Sequence, residues 1–146
     1  MIFSSGHGRY KSVTELKREL KEHEIKVLID VRTKPYSRWQ PVFNRTVLHG
    51  AIDPVEYIWM GDVLGGLGPP ITDEAIDNLI RLARKQKILI MCSEGNPDKC
   101  HRHHIIARRL HGKGVKVLHL TVDGVKRAEE IGFHSDSPKP KHGSLF

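Results

Sequence analysis

Short aliphatic runs alternate with amphipathic runs along most of this chain, and the alternation predicts its secondary structure. The run at residues 88–91 is aliphatic and uninterrupted, which is typical of a strand buried on both faces. Together with the other strand-like runs it predicts five strands, at residues 1–5, 26–31, 56–60, 88–91 and 115–120. Apolar residues at helical spacing and capping residues predict helices at residues 14–23, 73–86 and 97–111, with a shorter helix at 45–51.

Strands that alternate with helices favour a parallel sheet, because parallel neighbours need a crossover connection. We therefore predict an α/β fold, a three-layer sandwich with a mostly parallel sheet and helices on both faces. The 146 residues, of which 38% are hydrophobic, suffice for one core, so a single domain is expected at residues 1–131. Residues 132–146 are polar and contain prolines, which predicts a flexible C-terminal tail.

Both cysteines follow the strand predicted at residues 88–91. Cys92 lies at the carboxyl end of that strand, where ligands bind in open α/β sheets. Cys100 falls in the first turn of the next predicted helix, where the helix dipole and the nearby Arg102 favour a thiolate. Both are candidate catalytic residues, and the alternative is that Cys100 is an inert thiol packed on the buried face of the helix.

Charged and titratable residues stand at corresponding strand ends. Asp30 and Arg32 share a face and are expected to pair, leaving Arg32 able to clamp an anionic group, although a purely internal ion pair is the alternative. Glu94 is a candidate acid, base or orienting group, or a loop carboxylate that balances a nearby arginine. His101 is a candidate catalytic base, and His7 can join the same edge.

Several separated motifs together resemble the family described as domain of unknown function 488. They are Gly6-His7, Asp30-Val31-Arg32 with Pro35 and Ser37, Phe43-Asn44, Leu64-Gly65-Gly66, Cys92-x-Glu94 and Cys100-His101-Arg102. The resemblance spans roughly residues 3–120 and implies an α/β sandwich with an active site, but no particular reaction. It supports His7, Asp30, Arg32, Ser37 and Arg102 as substrate-binding candidates beside the catalytic candidates Cys92, Glu94, Cys100 and His101.

A second likeness is to rhodanese-like domains, in which an Asp-x-Arg also ends a buried strand and a later strand ends in Cys-x-x-Gly. Residues 30–32 and 92–95 match that outline. Glu94 and Asp98 place negative charge in the loop after Cys92, however, and an anion cradle needs positive charge there. We therefore expect neither sulfurtransferase nor phosphatase activity.

Two other uses of the cysteines are open. The pattern Cys-x7-Cys-His-x2-His from Cys92 to His104 offers ligands that suit zinc, but the tight Cys-x2-4-Cys knuckle of structural zinc sites is absent, so we predict no metal and no cofactor. A Cys92–Cys100 redox pair is a further alternative, although the spacing differs from the Cys-x-x-Cys redox motif.

The chain is basic, with a formal net charge of +7, which favours an anionic partner such as a small molecule or nucleic acid. Within and just after the long polar loop at residues 32–44, Arg38, Trp39 and Arg45 combine positive charge with a stacking surface and are candidate nucleic-acid contacts. Trp39 can instead fold the loop onto the core.

The sequence thus predicts an enzyme with a Cys/Glu/His/Arg pocket at the carboxyl edge of the sheet, acting on an anionic substrate that can be related to nucleotides. The alternative is a non-catalytic nucleic-acid-binding module. With only two cysteines, no secretory leader and no membrane-spanning apolar run, we expect a reducing cytoplasm and no membrane partner. No feature of the sequence indicates an oligomeric state.

Overall fold

A computed structural model describes residues 1–133 of the chain. From residue 134 onward the predicted tail at 132–146 lies outside the described residues, and the single-domain boundary at residue 131 stays a prediction. The strands are β1 (Ile2–Gly6), β2 (Val27–Asp30), β3 (Glu56–Trp59), β4 (Ile88–Cys92), β5 (Val117–Thr121) and β6 (Gly124–Arg127). The α-helices are α1 (Val13–Glu22), α2 (Arg45–Ala51), α3 (Gly61–Leu64), α4 (Asp73–Lys85), α5 (Arg108–Gly112) and α6 (Ala128–Ile131).

The six strands form one sheet in the order β3-β2-β4-β1-β5-β6. The first five strands in this order run parallel, and β6 pairs with β5 in the antiparallel direction. Helices cover both faces, with α4 and α5 packed on one and α1 and α2 on the other. The predicted α/β sandwich with a mostly parallel sheet is confirmed.

The burial of β4 shows why its sequence is aliphatic. Ile88, Ile90 and Cys92 face the α4/α5 layer, while Leu89 and Met91 face the α1/α2 layer. Since both faces of this strand lie in a core, every position is apolar and the usual polar alternation is lost. The same two-sided burial places the Cys92 side chain inside the protein at the carboxyl edge of the sheet.

The helix predicted at residues 97–111 begins later than expected. Asn96 caps only a short 3-10 turn, Pro97–Lys99, by accepting the N–H of Asp98 at 3.0 Å. Cys100 then adopts an extended conformation, and a π-helical segment, Arg102–Ala107, leads into α5. The extended residue arises because the chain turns back toward β4 before the helix starts, and π-helical segments often accompany functional sites.

The other predicted helices are present within a residue or two. Thr72 caps α4 as expected, accepting the Ala75 N–H at 3.1 Å. The strand β6 and the short helices α3 and α6 were not predicted, since four-residue elements carry too little periodicity to be recognised. No helix among residues 1–133 is long and apolar enough to cross a membrane.

Candidate active site

An open cleft of about 1190 Å³ lies at the carboxyl edge of the sheet. Its walls include Cys92 at the end of β4, Cys100, His101 and Arg32 just beyond β2. Parallel strands deliver their carboxyl ends to one edge, which explains why residues far apart in sequence border one space.

The two cysteines meet at the base of this cleft. Their Sγ atoms are 2.8 Å apart, both thiols are free, and each residue is only 2% exposed. Cys92 is held by the sheet, and Cys100 is brought to it by the loop at residues 93–99. The two cysteines therefore form a buried thiol pair, whereas the sequence predicted only that they lie near each other.

Cys100 occupies the amino end of the helical segment that leads into α5. Its carbonyl accepts the His104 N–H at 3.2 Å, and its Sγ accepts the Arg102 N–H at 3.5 Å. This is the geometry of a helix-capping residue, here with sulfur as the capping atom. The helix dipole therefore acts on Cys100 as predicted, although the helix itself begins about one turn later than the sequence indicates.

His101 lies between Cys100 and the α3 region. Its Nε2 donates to the Leu64 carbonyl at 3.0 Å, and its Nδ1 is 3.7 Å from the Cys100 Sγ. Because the Leu64 carbonyl accepts the Nε2–H, Nδ1 is the ring nitrogen that takes up the proton released by Cys100. His101 is therefore placed to exchange a proton with Cys100.

Arg102 is fully buried and acts as the centre of the thiol cluster. Its guanidinium donates to the Cys92 Sγ at 2.8 Å, to the carbonyls of Glu94 at 2.6 Å and Gly95 at 3.2 Å, and to Ser4 Oγ at 3.0 Å. A buried arginine with this many acceptors is rigid, so its charge stays at a fixed position beside the sulfurs.

The two thiols ionise unequally. Burial opposes ionisation of Cys100, but the hydrogen bond from Cys92, the contact with His101 and the charge of Arg102 outweigh it and hold the pKa of Cys100 well below its ordinary value. Burial and the hydrogen bond to Cys100 raise the pKa of Cys92 far above its ordinary value, although Arg102 opposes this. Cys100 is therefore the first thiol of the pair to ionise, and the proton that remains lies on Cys92.

A buried chain of hydrogen bonds, which was not predicted from the sequence, ends at the Arg102 guanidinium. His103 donates to the Gly132 carbonyl at 2.8 Å, His119 donates to His103 at 3.0 Å, and Ser4 donates to His119 while accepting from Arg102. Burial, followed by the charge of Arg102, lowers the pKa of His119 to about 2. The available signal was a polar residue at a buried strand position, Ser4 in β1 and His119 in β5, and the two are direct partners across these strands.

Glu94 contributes differently from what the sequence suggested. Its carboxylate is exposed and accepts the Asn96 N–H at 3.0 Å, while its main-chain carbonyl contacts Arg102 and lies 3.5 Å from the Cys92 Sγ. The close approach of this carbonyl to β1 requires glycine, since a Cβ at Gly6 would stand 1.7 Å from the Glu94 oxygen. The hydrogen-bonding contribution of Glu94 to the thiol cluster is thus made by its backbone.

Asp30 and Arg32 form a buried bidentate pair, with Nε–Oδ1 and Nη2–Oδ2 distances of 2.8 and 2.7 Å. Arg32 also donates to the Phe43 carbonyl at 2.7 Å, and Tyr57 donates to Asp30. This is the internal ion pair that the sequence left open, but Arg32 Nη1 is buried with no partner among the described residues. One donor of the guanidinium therefore stays unused beside the cleft.

His7 and Ser37 border a smaller pocket of about 440 Å³. His7 Nδ1 bonds Gln40 Oε1 at 2.8 Å, and its buried Nε2 has no partner in the described part of the chain. Burial, followed by the charge of Arg32, lowers the pKa of His7 to about 4. Ser37 braces the loop, because its Oγ accepts the Gln40 N–H at 2.9 Å.

The candidate nucleic-acid contacts are divided between two places. Arg38 and Trp39 line the smaller pocket, and Trp39 is 87% exposed, so it does not fold the loop onto the core; Phe43 does. Arg45 lies instead over the ring of Trp59, 4.7 Å from its centre. Within residues 1–133 no group of three or more His, Cys, Asp or Glu residues is arranged to hold a metal ion.

Comparison with known proteins gives one match. A family model described as "Domain of unknown function DUF488" matches residues 12–70 and 66–110. No curated protein and no solved structure matches the chain. The family resemblance predicted from the motifs is confirmed, while the rhodanese-like outline stays a prediction.

Proposed function

The chain belongs to the family described as domain of unknown function DUF488, and we propose that this member is a thiol-dependent enzyme acting on an anionic substrate. The observation that carries the proposal is the arrangement around Cys100, which lines the cleft with the Cys92 thiol and the main-chain N–H of Arg102 directed at its sulfur. Thiolates stabilised in this way are the reactive form of cysteine in enzymes.

Each neighbour of Cys100 has a defined part in such chemistry. Cys100 Sγ is the nucleophile toward an electrophilic centre of the substrate. Arg102 supplies a fixed positive charge at the thiol pair, and its four guanidinium hydrogen bonds keep it there when the charge on sulfur changes. The His101 Nδ1 accepts or returns the proton that the reaction moves, since its Nε2 is committed to the Leu64 carbonyl.

The preference for an anion rests on the unused donor of Arg32. A buried N–H without an acceptor is unfavourable by roughly 1–3 kcal/mol, and an oxygen of a carboxylate or phosphate at this end of the cleft would satisfy Nη1. Arg32 cannot move to find another acceptor, because Asp30 and the Phe43 carbonyl hold its Nε and Nη2. It is therefore a preformed donor, and the net charge of +7 strengthens the attraction of anions.

Site-resolved alkylation tests both parts of this proposal. Rates with neutral iodoacetamide and anionic iodoacetate are measured for each cysteine across pH by mass spectrometry. We expect Cys100 to react with an apparent pKa below the ordinary value of about 8.5, Cys92 to react slowly, and inorganic phosphate to protect Cys100. The iodoacetate-to-iodoacetamide rate ratio should exceed that of glutathione measured alongside.

Two variants serve as matched controls for the alkylation. Cys100→Ser should remove the fast reaction, and Cys92→Ser should keep it, with far-UV circular dichroism confirming that both are folded. If Cys100 reacts no faster than Cys92, or only above its ordinary pKa, the thiol-enzyme proposal is wrong. If it reacts fast but phosphate gives no protection and the rate ratio equals that of glutathione, the anionic substrate is wrong.

A nucleic-acid-binding module is the second candidate, favoured by the exposure of Trp39 beside Arg38 at the smaller pocket. Stacking on one aromatic ring contributes about 1–3 kcal/mol per base to single-strand binding. Binding of an oligothymidylate should weaken as salt is added, and Trp39→Ala should weaken it at every salt concentration, while Val125→Ala, at an exposed apolar position on β6, should not. Equal binding by both variants would contradict this candidate.

A further inference from the structure

We propose that Cys92 and Cys100 are a dithiol pair that reduces a small hydroperoxide and closes to a disulfide in the process. The inference rests on the proposed function in one respect, since it takes Cys100 as the nucleophile. It adds a substrate class and gives Cys92 a chemical role, as the thiol that resolves the oxidised Cys100.

The geometry of the pair requires little movement to form the bond. The sulfur atoms are 2.8 Å apart, and a disulfide bond is about 2.05 Å long, so they need to approach by less than about 1 Å. Cys92 is fixed by β4, whereas Cys100 lies outside the sheet, between the 3-10 turn and the π-helical segment. The approach can therefore be made by Cys100 without disturbing the sheet.

The first step is an attack by the Cys100 thiolate on the terminal oxygen of the hydroperoxide. The S–O bond forms as the O–O bond breaks, and the alkoxide leaves with a proton as an alcohol, so that Cys100 becomes a sulfenic acid. His101 Nδ1, which took up the proton released by Cys100 as the thiolate formed, supplies that proton. The oxidant is the hydroperoxide itself, which is reduced by two electrons taken from sulfur.

The second step uses Cys92. Its sulfur attacks the Cys100 sulfur, the S–O bond breaks, and the hydroxide leaves with the Cys92 proton as water, giving the Cys92–Cys100 disulfide. Arg102 already contacts the Cys92 Sγ at 2.8 Å and stabilises the thiolate that forms as this proton departs. The overall change is dithiol plus hydroperoxide to disulfide, alcohol and water, and a small thiol reductant restores the dithiol.

The depth of the pair selects the oxidant. Both residues line the cleft, yet each is only 2% exposed, so the space at the sulfurs admits a small molecule and not an exposed disulfide on another protein. The fixed charge of Arg102 also stabilises the negative charge that develops as the O–O bond breaks. These two features favour a hydroperoxide over a protein disulfide as the substrate.

The test treats the reduced wild-type protein with hydrogen peroxide and measures intact mass and free thiols over time. We expect the loss of two hydrogens, a peptide map showing one bond between Cys92 and Cys100, and full reversal by dithiothreitol. In Cys92→Ser, Cys100 should stop at a sulfenic acid that dimedone traps, and in Cys100→Ser oxidation of Cys92 should be at least about tenfold slower.

The outcomes separate this inference from the proposed function. Direct progression of wild-type Cys100 to sulfinic acid, or pairing only between molecules, would overturn the inference while fast alkylation of Cys100 keeps the thiol-enzyme proposal. Equal peroxide reactivity of Cys100 and of free glutathione would also overturn it, because the site then offers no activation. If Cys100 is slow toward both peroxide and iodoacetamide, both proposals fail together.

Discussion

The substitution Gly6→Ala should be among the most damaging single-methyl changes in this protein. A Cβ at residue 6 would stand 1.7 Å from the Glu94 carbonyl oxygen and 2.8 Å from the Gly95 nitrogen, both of them main-chain atoms. To reach an ordinary contact of at least 3.4 Å, the Glu94 carbonyl must retreat by about 1.7 Å. No flexible side chain is available to absorb this movement, so the loop after β4 has to shift.

The expected loss of stability follows from the contacts that the Glu94 carbonyl makes. Overpacking of a rigid site costs about 1–3 kcal/mol, and the lost hydrogen bond from the Arg102 guanidinium, now 2.6 Å long, adds about 1.5–3 kcal/mol. We therefore expect Gly6→Ala to lower the free energy of unfolding by about 3–5 kcal/mol. Because the same shift disturbs Arg102 and Cys92, alkylation of Cys100 should slow as well.

Urea denaturation followed by tryptophan fluorescence measures this loss, and Gly50→Ala is the matched control. Gly50 lies in α2, and a Cβ there meets nothing within 4 Å, so alanine should raise stability by about 0.5–1 kcal/mol. A loss of less than about 1 kcal/mol in Gly6→Ala, or equal changes of stability in the two variants, would show that the Glu94 carbonyl does not require glycine at residue 6.

Three further predictions concern buried and exposed polar groups. Asp30→Asn leaves the Arg32 charge buried without its carboxylate, so denaturation should show a loss of about 3–5 kcal/mol, and a loss below 1 kcal/mol would contradict the buried pair. His7 and His119 are neutral in the fold, with pKa values of about 4 and 2 against about 6.5 when unfolded. Below about pH 6.5 the unfolded chain therefore binds more protons than the folded protein, so the free energy of unfolding should fall on acidification. At pH 5 the two histidines together should account for a loss of about 4 kcal/mol, and a free energy of unfolding that stays constant between pH 7 and pH 5 would contradict this. Trp39→Ala should alter the free energy of unfolding by less than about 0.5 kcal/mol, since the ring is 87% exposed, and a larger loss would show that it packs.

The fold was largely predictable because its signals are local. The strand β4 is a continuous apolar run, and α4 carries both a capping threonine and a regular buried stripe that includes Ile76 and Leu79. The segment after Asn96 was predicted less well. A favoured cap followed by proline indicates a helix start, but tertiary contact between Cys100 and β4 interrupts the helix after one short turn, and no local rule contains that contact.

The candidate site was predictable only in part, for a related reason. The strand-end rule placed Cys92 and Arg32 at one edge, and both border the same cleft. The support for Arg102 comes from Ser4, His119 and His103, which lie on three separate elements and meet only through strand pairing and helix packing. Glu94 was assigned a side-chain role, but its backbone carbonyl makes the contact, a distinction that residue identity does not reveal.

Titration of the thiolates by ultraviolet absorbance in the reduced wild-type protein, with Cys92→Ser and Cys100→Ser in parallel, identifies the nucleophile directly. We expect one thiolate to form well below the ordinary pKa of about 8.5, and this transition to disappear in Cys100→Ser but remain in Cys92→Ser. The second thiol of the wild type should ionise far above that value, because burial and Cys100 hold the proton on Cys92. A wild-type protein whose two thiols both ionise at or above 8.5, or whose low transition belongs to Cys92, would contradict the assignment of Cys100 as the nucleophile.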